Sequence, residues 1–102
     1  MARVTWTARL RPEKIEEYVT AHAAVWPEML AMIKEAGVRN YSIHLFKDRV
    51  FGYYECDDPA ATQAFMRDAE VTVRWNAAMA PLFAPEVATE GLIAMPEVFR
   101  LD

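Results

Sequence analysis

The sequence predicts an α+β fold with its elements in the order β-α-β-β-α-β, on three observations. Polar and apolar residues alternate over 3–9, as they do in a half-buried strand. Two further strand-like runs, 38–46 and 50–56, are separated only by the charged turn Lys47–Arg49, which predicts a hairpin. Stretches with helical periodicity precede and follow that hairpin. With 102 residues, the chain is expected to form one domain over its whole length, 1–102.

The first half of the chain predicts a strand followed by a broken helix. The strand directs its apolar side chains to one face, namely Val4, Trp6, Ala8 and Leu10. Pro12 suits the first turn of a helix, and the buried-face spacing that follows turns Tyr18 and His22 inward. Pro27 begins a second helix, because the residue before a proline avoids helical geometry, and Gly37 ends it.

The second half repeats this plan after the hairpin. In the first hairpin strand one face carries Tyr41, Ile43 and Leu45. Asp58 and the proline after it predict a helix cap. The elements expected after that are helices over 60–67 and 71–83, a loop over 84–91 and a last strand over 92–101. Pro96 within that strand favours an edge or a bulge.

Two split βαβ units of this kind form the ferredoxin-like arrangement, a four-stranded antiparallel sheet with helices on one face. The other face then needs cover, which Trp6 or Phe51 and Tyr53 could supply in part. The hydrophobic share of 54% exceeds the roughly 45–50% of ordinary soluble domains, so a second copy of the chain is the expected lid. We therefore expect a homodimer.

Composition excludes several classes of function. A net charge of −4 argues against nucleic acid as a partner, and no apolar run is long enough to span a membrane. The single cysteine, Cys56, does not require an oxidising compartment, so the cytoplasm is the expected location. Three glycines form no phosphate loop, one serine argues against a serine triad, and no metal-ligand spacing is present. No cofactor is expected.

His22 is the leading candidate for chemistry, because histidine transfers protons near neutral pH. Tyr18 shares its helix face, and Tyr41 could point to the same place. Trp75 could pack on the apolar face of a sugar, and Asn76 offers both a donor and an acceptor. The alternatives are a histidine that caps carbonyls or is satisfied in the core, an ordinary strand tyrosine and a core tryptophan.

With these residues in place, the sequence resembles the L-rhamnose mutarotase family from end to end. The resemblance rests on several short pieces that occur together and in this order. The matching pieces are Glu17-Tyr18 with His22, Val25-Trp26-Pro27-Glu28, Gly37 with Asn40-Tyr41-Ser42-Ile43, Arg74-Trp75 before Met79, and Glu97-Val98-Phe99-Arg100-Leu101.

The resemblance implies a dimeric ferredoxin-like α/β barrel that interconverts the α and β anomers of L-rhamnose, a monosaccharide, without a cofactor. It implies that His22 is the proton donor and that Tyr18, Tyr41 and Trp75 contact the sugar. Asn76 stands where the family has the second member of a tryptophan pair, and this smaller polar residue is expected to open the pocket or to exchange stacking for hydrogen bonding. The sequence leaves two other interpretations of the function open. One is a cofactor-independent monooxygenase or small-molecule isomerase of the same architecture, and the other is a non-catalytic binding module.

Overall fold

The computed structural model describes residues 1–102, and its central feature is a four-stranded antiparallel sheet. The strands are β1 (Ala2–Arg9), β2 (Arg39–Phe46), β3 (Arg49–Cys56) and β4 (Ile93–Ala94). They lie in the order β2-β3-β1-β4, so the two hairpin strands are neighbours and β1 joins them through β3. This order confirms the predicted ferredoxin-like α+β fold. The sheet stays open, with β2 and β4 as its edges, and does not close into a barrel within one chain.

Each predicted helical segment is broken in two, as expected. A 3₁₀ turn over Pro12–Lys14 precedes the first helix, and a second 3₁₀ turn, Ala80–Leu82, follows the fourth. The Asp58 side chain accepts a hydrogen bond from the amide of Ala61, which is the predicted helix cap. The helices are α1 (Ile15–Ala23), α2 (Pro27–Glu35), α3 (Pro59–Asp68), α4 (Glu70–Met79) and α5 (Val87–Glu90).

The C-terminal region differs from the prediction. The expected strand over 92–101 is only two residues long, and the expected loop before it contains the short helix α5. Met95 and Thr5 exchange hydrogen bonds beyond the strand, but Pro96 has no amide hydrogen with which to continue the ladder. Pro96 therefore follows an edge strand and ends it. The remaining chain is exposed, including Phe99 at 79%.

The core lies between the sheet and the helices, and Trp6 belongs to it. The expectation that Trp6 could cover the open face is wrong, because Trp6 pairs with Gly52 on the helix-covered face, where Val50 and Tyr54 are also buried. Phe51 and Tyr53, the other residues expected there, are half-buried in alternate positions of β3. No helix in the structure is long and apolar enough to cross a membrane.

Candidate active site

A cavity of about 580 Å³ opens between the helix-covered face of the sheet and the surrounding helices. Its volume lies in the range of small-molecule sites, roughly 300–1,000 Å³. All five residues singled out from the sequence line it. Helix α1 supplies Tyr18 and His22, strand β2 supplies Tyr41, and helix α4 supplies Trp75 and Asn76. Residues distant in sequence are thus brought to one cavity.

The His22 imidazole is fixed by Tyr18, four residues earlier on α1. Its Nδ1 lies 2.8 Å from the Tyr18 carbonyl oxygen, and the two rings stack with centroids 4.0 Å apart. Because a carbonyl only accepts hydrogen bonds, Nδ1 must carry a proton, which leaves Nε2 for other partners. The alternative in which His22 caps a carbonyl therefore holds for Nδ1 only, and Nε2 stays available for chemistry.

Trp75 also contacts the His22 imidazole. Its indole meets the His22 ring edge-on at a centroid distance of 5.4 Å and meets Trp26 edge-on at 5.1 Å. Trp26 does not line the cavity, and the Arg74 guanidinium lies 5.9 Å from the centre of its ring. Arg74 is held in turn by Glu28, at 2.7 Å. Trp26 and Pro27, at the start of α2, therefore lie behind the cavity wall and do not line the cavity.

Tyr41 lies at an irregularity of β2, where the register against β3 shifts between Arg39 and Ser42. Such bulges often re-aim side chains beside binding sites. The Tyr41 hydroxyl accepts a hydrogen bond from Trp6 Nε1 at 3.3 Å. Burial raises the pKa of Tyr41 to about 12, although the Trp6 hydrogen bond opposes that rise.

Burial also raises the pKa of Tyr18, and the neighbouring Tyr41 adds to the effect. Both phenols are therefore neutral near pH 7. A neutral phenol can donate a hydrogen bond and accept one, but it is a poor base. These two side chains are suited to binding hydroxyl groups more than to removing protons.

The charged side chains in the cavity wall are Arg11 and Arg67, and no carboxylate lines it. Acid–base chemistry by wall residues is thus restricted to His22 and to hydroxyl groups. No group of three or more His, Cys, Asp or Glu side chains is arranged to hold a metal ion.

Sequence reasoning gave no site role to Trp6, Thr72 or Phe83, which also line the cavity. The alternation of β1 already places Trp6 on the same face as Ala8, and this was the available signal for that residue. Thr72 and Phe83 carry no comparable pattern, since only tertiary packing brings them to the wall.

The segment after α4, residues 80–92, completes the wall and is anchored to the end of β1. The Arg9 guanidinium binds both carboxylate oxygens of Glu86, at 2.6 and 2.8 Å, and Leu10 pairs with Phe83. The paired guanidinium, mainly through these hydrogen bonds, lowers the pKa of Glu86 to about 2. The segment contributes Pro85, Val87 and further residues to the cavity lining.

Comparison with known proteins assigns this chain to a family. The family model described as L-rhamnose mutarotase matches residues 3–101. An L-rhamnose mutarotase from Bacillus subtilis is 39% identical over 98 residues, covering 88% of each chain, and one from Oceanobacillus iheyensis is 32% identical over all of both. The crystal structure of an L-rhamnose mutarotase from Formosa agariphila superimposes with a TM-score of 0.84 over the whole of both chains at 21% identity, which supports the fold. The chain belongs to the L-rhamnose mutarotase family.

Proposed function

We propose that this protein is a mutarotase that interconverts the α and β anomers of L-rhamnose or a related deoxy-hexose. The observation that carries the proposal is the free Nε2 of His22, held by the Tyr18 carbonyl in a cavity that also contains phenols, an amide and an indole. An almost wholly apolar cavity would favour the monooxygenase alternative. Most of the lining of this cavity is apolar, with 15 hydrophobic residues among 22, but the hydroxyl-binding groups beside His22 favour a sugar.

The reaction opens and recloses a pyranose ring. The anomeric hydroxyl loses its proton and the ring oxygen O5 gains one, so that the C1–O5 bond breaks and a free aldehyde remains. Rotation about C1–C2 followed by reclosure on the other face gives the second anomer, and each proton is returned. No net oxidation or reduction takes place, so the step needs no redox partner.

His22 is assigned as the general acid that protonates O5. Because Nδ1–H stays on the Tyr18 carbonyl, Nε2 donates only from the imidazolium form, and the neutral ring that remains takes the proton back on reclosure. One positioned acid–base group contributes typically 10²–10⁴-fold. The base is a water or a hydroxyl group, since no carboxylate lines the cavity.

The remaining wall residues bind and orient the sugar. Trp75 packs against the apolar C–H face of the ring, and its contact with His22 keeps that face beside the acid. Tyr18 and Tyr41 bind sugar hydroxyls as neutral donors. Asn76, in place of a second indole, supplies an amide donor and acceptor and leaves room for a hydroxyl that an indole would exclude.

Saturation-transfer NMR at the anomeric protons tests this function. Saturating the α signal of L-rhamnose should reduce the β signal in the presence of the protein, beyond the loss seen without it. A panel of 6-deoxy-hexoses, ordinary hexoses and pentoses then gives the sugar preference. Spontaneous exchange rates for every sugar in the panel would contradict the proposal.

The homodimer is part of the same proposal. The open face of the sheet carries Phe51 and Tyr53, and exposed apolar residues follow β4, including Val98 at 93% and Leu101 at 84%. A second copy would bury these surfaces. Sedimentation equilibrium should give twice the chain mass, and Phe51→Asp should weaken association, whereas a monomer at all concentrations would refute the dimer. The cytoplasmic location stays a prediction.

A further inference from the structure

Trp6 reaches Tyr41 across an intervening strand. Trp6 is on β1 and Tyr41 on β2, and β3 lies between them in the sheet. Neighbouring strands are about 4.7–4.9 Å apart, so a side chain on β1 must cross β3 to meet one on β2. The indole does this directly over Gly52, its cross-strand partner.

Gly52 leaves the space that the Trp6 indole occupies. A Cβ placed at this position would overlap three atoms of Trp6, namely Cε2, Nε1 and Cζ2. Any other residue at position 52 would therefore displace the ring from the line between Nε1 and the Tyr41 oxygen. The contact with Tyr41 therefore needs both the long Trp6 side chain on β1 and the absence of a side chain at Gly52 on β3.

The hydrogen bond from Trp6 decides where the Tyr41 proton points. An indole N–H donates and cannot accept, so the Tyr41 oxygen must be the acceptor in this pair, at 3.3 Å. The phenolic proton must then point to a different acceptor. Because Tyr41 lines the cavity, a sugar hydroxyl is the partner that this orientation suits.

We propose that Trp6, admitted by Gly52, is a positioning residue that presents the Tyr41 hydroxyl to the sugar as a hydrogen-bond donor. The inference rests on the proposed mutarotase function and deepens it by adding a residue outside the set predicted from the sequence. Its effect falls on sugar binding, because Tyr41 contacts the sugar before and after the ring opens. KM is therefore the parameter that changes, with kcat largely retained.

A double-mutant cycle with Trp6→Phe and Tyr41→Phe tests the proposal. Trp6→Phe keeps an aromatic ring and removes the N–H, and should raise KM for L-rhamnose about three- to tenfold, the value of one hydrogen bond. In the Tyr41→Phe background the same change should raise KM no further, because the group that Trp6 orients is absent. Equal effects in both backgrounds would overturn the proposal, as would an unchanged KM.

Indole N–H resonances provide a readout that does not depend on catalysis. Tyr41→Phe should move the Trp6 resonance, which is identified by its loss in Trp6→Phe. Tyr54→Phe is the matched control, because the Tyr54 hydroxyl binds Gln63 and its ring lies only 5.2 Å from that of Tyr41. A Trp6 resonance that Tyr41→Phe leaves in place would refute the pairing. If the protein interconverted the anomers of no sugar, the Trp6 resonance would still show whether Trp6 binds Tyr41. Failure of the proposed function can therefore be told apart from failure of this pairing.

Discussion

Gly52→Ala should displace the Trp6 indole and destabilise the fold. The new methyl group would overlap Cε2, Nε1 and Cζ2 of the indole, whereas carbon atoms ordinarily approach no closer than about 3.5 Å. The ring must therefore move by more than about 1 Å. The Trp6–Tyr41 hydrogen bond, already long at 3.3 Å, does not survive such a shift. Overpacking a buried site of this kind costs about 1–3 kcal/mol in the free energy of unfolding.

Urea denaturation of Gly52→Ala, Trp6→Phe and the double variant measures this cost. The smaller ring of Trp6→Phe makes room for the methyl group, so the double variant should lose less than the sum of the single losses, by about 1 kcal/mol. Gly91→Ala is the control, because a Cβ placed at this position would have nothing within 4 Å and the alanine would meet only the backbone strain of φ at +68°. Its cost should add to that of Trp6→Phe. A Gly52→Ala protein as stable as the wild type would refute the reasoning. So would a Gly52→Ala/Trp6→Phe double variant whose loss of stability equals the sum of the two single losses.

Two further predictions concern pH. Because the bound Arg9 guanidinium lowers the pKa of Glu86 to about 2, this carboxylate stabilises the fold above its unfolded pKa of about 4.3 and loses that contribution as the pH falls towards 2. Glu86→Gln should flatten the pH dependence of thermal unfolding in that window, and an unchanged slope would contradict the pairing. Burial raises the pKa of Tyr41 to about 12, so stability should fall between pH of about 10 and 12. Phenolate absorbance that rises at the same pH in native and unfolded protein would be inconsistent with this burial.

Local patterns predicted most of the fold and part of the site. Strand alternation, the Asp58 cap, Pro12 and Pro27 located the elements, and i, i+4 spacing placed Tyr18 beside His22. These features depend on residues a few positions apart. The prediction of a ten-residue last strand was wrong because Pro96 ends the ladder instead of being tolerated within an edge strand.

Features that depend on register or on packing could not be predicted in this way. The role of Trp6 follows from its pairing with Gly52 and from the order of three strands, and neither is contained in the periodicity of β1. The anchoring of Glu86 by Arg9 joins residues 77 positions apart. The tautomer of His22 depends on its side-chain rotamer, which brings Nδ1 to 2.8 Å from the Tyr18 carbonyl; the i, i+4 spacing permits this contact but does not fix it.

The anomer exchange rate of His22→Gln, compared with the wild type, tests the central claim most directly. Glutamine approximates the size of the imidazole but supplies no titratable proton at the position of Nε2. Saturation-transfer NMR on L-rhamnose should show exchange falling about 10²–10⁴-fold towards the spontaneous rate, while circular dichroism and the melting temperature show an intact fold. Exchange at the wild-type rate in a folded His22→Gln protein would contradict the assignment of His22 as the proton donor.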